Sequence, residues 1–274
     1  MNIKPIFILS FASVMTLFGF RCMAQAQTEL PAPDTAALAK QTQNPVSSLI
    51  TLPFQFNFNS GGDLGDGTLF NLNFQPVIPF KLNDNWNMIA RTIVPVLSIP
   101  GAEGTRFSGI GDMQEQIFIS PSNPGKIIWG LGPQFSMSTA TIALVQTGSW
   151  AAGPTFVALT MTGPWVVGVL VNNVWTFADS GSSTEVNQFL LQYFINYNFG
   201  KGWAISSAPS ITSNWDATSG NKWTVPFGVG ITRTTVLNGR PIKLGVSYYH
   251  NVKRPDGAAG NQVQLSVSLL YPKK

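Results

Sequence analysis

The stretch from Val186 to Gly200, VNQFLLQYFINYNFG, alternates between two kinds of side chain. One set of alternate positions is large and apolar throughout: Phe189, Leu191, Tyr193, Ile195, Tyr197 and Phe199. The other set is mostly amides, with two apolar insertions: Gln188, Leu190, Gln192, Phe194, Asn196 and Asn198. Because successive side chains of a β-strand point to opposite faces, this pattern predicts a long strand with one apolar face and one wet face.

The same alternation recurs along the chain, with Gly, Asn, Asp or Pro clusters between the segments. It predicts twelve strands, at residues 49–58, 68–80, 86–98, 109–120, 126–138, 149–162, 164–177, 186–199, 203–215, 222–234, 241–252 and 261–271. Transmembrane strands need about 9 to 11 residues, whereas strands of globular proteins average about five or six. The connections alternate between long and short, which is typical of outer-membrane barrels. We therefore predict an all-β fold, a transmembrane antiparallel β-barrel of about 12 strands.

Composition favours this barrel over a soluble β-sandwich, whose strands also alternate. Charged residues make up 10% of the chain, against roughly 25% in soluble domains. The predicted polar faces carry amides, hydroxyls and glycine rather than the charges that a solvent-facing sheet needs. The formal net charge is +4, without a basic run that contains interleaved aromatic residues, so nucleic acid is not an expected partner.

The N-terminus predicts export. Lys4, an apolar run over residues 5–20 and the sequence Ala24-Gln25-Ala26 fit a signal peptide at 1–26. The alternative is a lipoprotein signal acylated at Cys22, which the bulky Arg21 before it disfavours. Cys22 is the sole cysteine, so cleavage leaves no thiol for a disulfide or a metal site. Export of such a barrel implies localisation in the bacterial outer membrane and, as partners, its lipid, periplasmic chaperones and the barrel-assembly machinery.

Residues 27–47 are polar and lack the strand pattern, so we predict an N-terminal periplasmic arm or a plug before the barrel at 48–274. Asp34 is a suitable N-cap for a short helix through Gln41, and Asn44-Pro45 would end it.

All eight tryptophans fall at or near the ends of predicted strands, which predicts an aromatic girdle at each rim. Four lie beside short turns and four toward long loops: Trp86, Trp129, Trp165 and Trp203, then Trp150, Trp175, Trp215 and Trp223.

Strand phase selects candidates for the lumen. Asp112 is in phase with Gln114 and Gln116, and Lys243 with Gly245 and Ser247. The full set of lumen-lining candidates is Arg91, Asp112, Gln114, Gln116, Gln188, Gln192, Phe194, Asn196 and Lys243. Arg91 shares a face with Ile89 and Ile93, so its direction is ambiguous.

Two readings of these lumenal charges stay open. A pair such as Arg91 with Asp112 would set selectivity, or the polar groups would form a network that fills a small barrel. Glu115 and Arg233 are in phase with apolar residues, which fits a rim position, a bulge or a strand register different from the predicted one. Many small residues are in phase with the lumen, Gly130 and Gly168 among them. They would leave room for an open lumen, or they would instead serve strand bending and close packing.

Catalysis, metals and cofactors are not expected. His250 is the sole histidine, and a serine–histidine system would require it; we interpret it as a rim residue. A calcium site at Asp63 and Asp66 is an alternative to a flexible loop there. We predict neither a catalytic residue, nor a metal site, nor a cofactor.

Several stretches together resemble one bacterial outer-membrane family: NPVSSLITLPFQFNFN, WNMIARTIVPVLS, GIGDMQEQIFISP, KWTVPFGVGITR and YYHNVKRPDG with LLYPK. It is the "transporter" family, also called the MetA pathway of phenol degradation and sometimes mislabelled neuromedin U. The resemblance implies an outer-membrane barrel that passes small, often aromatic, compounds. We therefore expect a channel for small aromatic or hydrophobic solutes. The alternative is a closed structural or interaction barrel without transport.

Overall fold

The computed structural model describes residues 34–64, 67–179 and 184–272. The predicted signal peptide, with Cys22, and the first part of the predicted arm lie outside these residues. One α-helix, α1, spans Thr35–Gln41, and short 3₁₀ turns occur at Gly62–Leu64 and Ala102–Gly104. The strand segments are β1 Ile50–Ser60, β2 Thr68–Phe74, β3 Val77–Lys81, β4 Trp86–Pro100, β5 Arg106–Ile110, β6 Met113–Pro121, β7 Ile127–Met137, β8 Ser149–Thr162, β9 Trp165–Asp179, β10 Asn187–Gly200, β11 Trp203–Ser207, β12 Ser210–Asn214, β13 Trp223–Leu237, β14 Arg240–Lys253 and β15 Asn261–Tyr271.

The segments of the described chain form a closed antiparallel barrel of twelve strands, as the sequence predicts. Three strands are each interrupted once, so that β2 and β3, β5 and β6, and β11 and β12 are halves of one strand. The first strand closes on the last along a full ladder from Ile50 with Tyr271 to Ser60 with Asn261. Closure leaves no open sheet edge. A sheet in hydrocarbon requires this, because every backbone N–H and C=O group must be hydrogen-bonded within the protein.

The interruptions fall at Pro76, at Gly111-Asp112 and at Pro209. Proline has no N–H for the ladder, so it is confined to edges, strand starts and bulges. Opposite the third break, β13 has an irregularity at Val225 and Pro226. The sequence predicted uninterrupted strands at 68–80, 109–120 and 203–215. The structure divides each of them in two at these breaks, so the prediction of continuous strands was wrong there.

The two ends of the barrel differ. At the short-turn end, consecutive strands are joined by a few residues, as at Asn238-Gly239, where both φ angles are positive (49° and 75°). That is the conformation of the tight type I′ hairpin, which Asn-Gly favours. The other end, the long-loop end, carries the longer connections, including residues 138–148 and 254–260.

Residues 187–200 form β10, and its apolar and polar faces point to opposite sides of the sheet, as expected. Ile195, Tyr197 and Phe199 are exposed on the outside, whereas Phe194 and Asn196 are buried inside. Large apolar side chains are exposed on strands all around the barrel. Such an outer wall is costly in water and suits a lipid environment. Among the described residues no helix has the length and apolar character needed to cross a membrane.

Candidate functional site: the barrel lumen

Two cavities lie in the interior of the barrel that the described residues form. The N-terminal cavity, of about 210 Å³, lies toward the short-turn end and touches residues 41–47. The loop cavity, of about 560 Å³, lies toward the long-loop end and reaches Asn221, Lys222 and Asp256. The lining of both is mostly amide and hydroxyl groups with a few apolar side chains.

Five of the nine lumen candidates line the N-terminal cavity: Arg91, Gln192, Phe194, Asn196 and Lys243. Gln114 and Gln188 line the loop cavity. Gln116 is 2% exposed and lies between them. Their role in the passage of a solute stays a prediction.

A chain of side-chain hydrogen bonds connects the two cavities. Arg91 donates to Gln75 (2.7 Å) and to Gln116 (3.2 Å), and Gln116 donates to Gln134 (2.8 Å). Gln75 in turn donates to Gln55 (2.9 Å). Arg91 lines the N-terminal cavity and Gln134 the loop cavity, so this amide chain runs along the inner face of the barrel from one cavity to the other. Because each amide is hydrogen-bonded to the next, these polar groups are buried without the free-energy cost of an unpaired donor or acceptor.

Three glutamines of the amide chain were not among the sequence candidates: Gln55, Gln75 and Gln134. Gln55 alternates with Phe54 and Phe56, and this phase was sufficient to find it. Gln75 directly precedes Pro76, where the strand breaks and the phase is lost.

Asp112 does not line either cavity, and it does not pair with Arg91. Its carboxylate accepts hydrogen bonds from the backbone N–H groups of Thr139 (3.0 Å), Ala140 (2.9 Å) and Thr147 (3.3 Å) and from the Thr147 hydroxyl (2.7 Å). Of the two alternatives for the lumenal charges, the Arg91–Asp112 pair is wrong, because Asp112 lies at the break between β5 and β6, where strand phase does not carry across. Arg91 instead belongs to a polar network with Gln75 and Gln116. Asp112 holds the loop 138–148 instead.

The other in-strand charges are accommodated locally. Glu115 accepts a 2.6 Å hydrogen bond from the Thr92 hydroxyl on the neighbouring strand. The Arg233 guanidinium lies 5.0 Å from the centre of the Trp203 ring, near the short-turn end. That cation–π contact fits the expected rim position of Arg233.

The N-terminal segment, residues 34–49, packs into the short-turn end. Asp34 caps α1 by accepting from the Ala36 N–H (2.9 Å), as expected. Gln43 and Asn198 exchange two amide hydrogen bonds, of 2.9 and 3.0 Å, and Lys40 donates to the Gly163 carbonyl (2.8 Å).

Apolar contacts hold the same segment. Leu38 and Leu49 cluster with Leu270 of the last strand. Val46 belongs to a larger interior cluster with Ile89, Phe118, Val157, Leu159, Val166, Leu170 and Phe194. A Cβ on Gly130 would lie 3.0 Å from a Val46 methyl group.

The inner glycines therefore do not simply leave open space. A Cβ on Gly168 would lie 2.5 Å from the Phe194 ring, so this glycine is needed for the ring to pack. Of the two alternatives for these small residues, close packing is the one found at Gly130 and Gly168. Around Gly130 and Gly168 the interior is a packed core, and the cavities lie beside this core.

The tryptophans lie at strand ends, as the sequence indicated. Trp86 and Trp129 make an edge contact with ring centres 6.0 Å apart at the short-turn end, and Trp165 packs on Tyr197 at 4.8 Å. Trp215 and Trp223 are in edge contact at 5.4 Å at the long-loop end. Trp150 and Trp175 are 44% and 47% exposed. Contact of these rings with a membrane interface stays a prediction.

The surroundings of the residues considered for catalysis or metal binding do not suggest either role. His250 lies near the long-loop end, where its Nδ1 is 3.0 Å from the Asn261 side-chain oxygen. Within the described ranges, His, Cys, Asp and Glu side chains do not form a group of three or more that could hold a metal ion. Asp66, half of the alternative calcium site, lies outside the described residues.

Comparison with known proteins supports the fold. The chain resembles an outer-membrane channel from Pseudomonas putida F1, with a TM-score of 0.61 and 13% identity over 82% of this chain and 96% of that one. The NanC porin matches with a TM-score of 0.53 and 12% identity, over 80% of this chain and 98% of that one. No protein-family model matches. No curated protein matches in sequence. The similarity is thus to the architecture of outer-membrane barrels, and the family resemblance seen in the sequence stays a prediction.

Proposed function

We propose that this protein is an outer-membrane channel for the passive passage of small solutes, including aromatic or hydrophobic ones. The observation that carries the proposal is a closed barrel with an apolar outer wall and two polar cavities along its lumen. A barrel with a purely structural role would not require interior cavities lined by amide and hydroxyl groups. The likeness to a Pseudomonas putida channel and to a porin supports the same reading.

We propose further that the N-terminal segment is the plug of this channel. Residues 41–45 and Ser47 line the N-terminal cavity, and Val46 packs in the interior cluster. The amide pair of Gln43 with Asn198 and the Lys40 bond to Gly163 would hold it in place. Each net hydrogen bond contributes about 0.5–1.5 kcal/mol, and the burial of Leu38, Val46 and Leu49 adds to it.

The alternative is a sealed barrel with a structural or interaction role. The packed interior cluster of the short-turn half favours this second reading. We propose no catalytic role, since the partner of His250 is an amide rather than a nucleophile.

Single-channel recording in planar bilayers tests the proposal, with the mature protein and with a variant that lacks residues 27–47. We expect brief or small openings in the mature protein and larger, steady conductance in the truncated one. A truncated protein that refolds but never conducts would refute the channel and favour the sealed barrel. Equal conductance in both forms would refute the plug alone.

A further inference from the structure

We infer that the N-terminal cavity is a binding site for small organic monoanions, with Arg91 and Lys243 as the groups that hold the carboxylate. Both side chains line this cavity, from strands β4 and β14 on different sides of the barrel. The inference deepens the proposed channel function. The passage of anions through the barrel rests on the proposed channel function, whereas the binding of anions in the cavity does not depend on it.

The first argument is charge. The lining of the cavity includes two cations and no aspartate or glutamate. In the part of the chain that the structure describes, neither Arg91 nor Lys243 makes an ion pair. Unpaired charge in a barrel interior is unfavourable unless water or a counter-ion compensates it. A lumen with low-dielectric walls strengthens the attraction for a counter-ion of opposite sign.

The second argument is the supply of hydrogen-bond donors. A guanidinium has about five N–H donors, and Arg91 uses two of them on Gln75 and Gln116. The Lys243 ammonium makes no hydrogen bond to another described residue. The nearby amide oxygens of Gln55, Gln75 and Gln116 are already acceptors within the amide chain. The cavity therefore has spare cationic donors on both Arg91 and Lys243, which suits a carboxylate.

The third argument is the apolar part of the lining. Val77 is the cross-strand partner of Arg91, and Phe194, Ala208 and Leu270 also line the cavity. Phe194 belongs to the packed interior cluster, so its ring is held in place. A ligand with an anionic head and a compact apolar or aromatic body matches both halves of the lining. Neutral hydrocarbons would leave the cations uncompensated, and inorganic anions would leave the apolar wall uncovered.

The test is calorimetric titration of the refolded, full mature protein in detergent with benzoate, and with benzyl alcohol as its uncharged counterpart. We expect benzoate to bind at least tenfold more tightly than benzyl alcohol. Lys243→Gln should weaken benzoate binding roughly tenfold or more, since one charge-assisted contact is lost. Lys243→Arg should restore it to within a few-fold. Lys126→Gln is the matched control, because it removes the same charge from an exposed position beside a short turn.

Equal binding of benzoate and benzyl alcohol would overturn the inference. So would an equal effect of Lys243→Gln and Lys126→Gln. Circular dichroism and the gel mobility of unheated samples establish that each variant is folded, and Arg91→Gln gives a second, independent variant on the other side of the cavity.

Reversal potentials in a KCl gradient separate this inference from the channel itself. We expect anion preference in the wild type and its loss in the Arg91→Gln, Lys243→Gln double variant. Benzoate binding without conductance in any form would overturn the channel and leave the anion site intact. Conductance without anion preference and without benzoate binding would overturn the anion site and leave the channel intact.

Discussion

At the scale of single residues, the direction of a charged side chain was predictable only where the strand is regular. Lys243 shares its phase with Gly245 and Ser247 and lines the N-terminal cavity, as expected. Arg91 was ambiguous because its phase neighbours Ile89 and Ile93 are apolar, and apolar residues suggest lipid. Ile89 is fully buried in the interior cluster, so apolar residues also face inward in this barrel. Alternation alone cannot distinguish a packed interior from a lipid-facing wall.

Asp112 carries a prediction at the same scale. Its carboxylate holds the loop 138–148 through four hydrogen bonds, and hydrogen bonds to a charged group are worth about 1.5–3 kcal/mol each. Asp112→Asn should loosen the loop and speed chymotryptic cleavage at Leu144, which is 66% exposed. It should not alter ion preference. Asp84→Asn, at an exposed ion pair with Lys81, is the control; equal cleavage rates in the two variants would contradict this role.

Gly168 provides a second residue-scale prediction. A Cβ there would lie 2.5 Å from the Phe194 ring and 2.6 Å from the Ala158 carbonyl oxygen. Gly168→Ala should therefore lower the free energy of unfolding by about 1–3 kcal/mol, the usual effect of overpacking, measured by urea titration of the barrel in detergent. Gly125→Ala, in open space, should change it far less. An unchanged midpoint for Gly168→Ala would show that the ring can move away.

At the scale of elements, the sequence predicted the number and order of the strands because hydrophobic alternation and turn residues are local signals. It missed the three breaks, although Pro76 and Pro209 mark two of them, since each half continues in the same barrel strand. It also left open where the N-terminal segment lies. That position depends on contacts between Gln43 and Asn198, 155 residues apart, and no local pattern encodes such a contact.

The N-terminal segment makes its own prediction. Val46→Asp would place a carboxylate in the interior apolar cluster, where an unpaired charge is strongly unfavourable. The segment should then leave the barrel, and trypsin should cleave after Lys40, whose ammonium is bonded to Gly163 in the wild type. Ala37→Asp adds the same charge to an exposed position of α1 and should leave the site protected. Protection of Lys40 in both variants would mean that Val46 does not hold the segment.

At the scale of the whole molecule, the exposed apolar wall and the tryptophans at its two ends predict a defined depth in a bilayer. Interfacial tryptophans lie at the level of the lipid headgroups, so lipids brominated near the headgroup should quench the native emission more than lipids brominated near the chain ends. Phe156→Trp is the matched control: Phe156 lies in the middle of β8 and is 37% exposed, and the added emission should be quenched best by the deep bromines. If deep bromines quenched the native tryptophans equally well, the tryptophans would not mark the two edges of the membrane-facing wall. The strand ends, where the tryptophans lie, would then be inside the hydrocarbon layer, because the closed ladder fixes the length of the wall between the two groups of tryptophans.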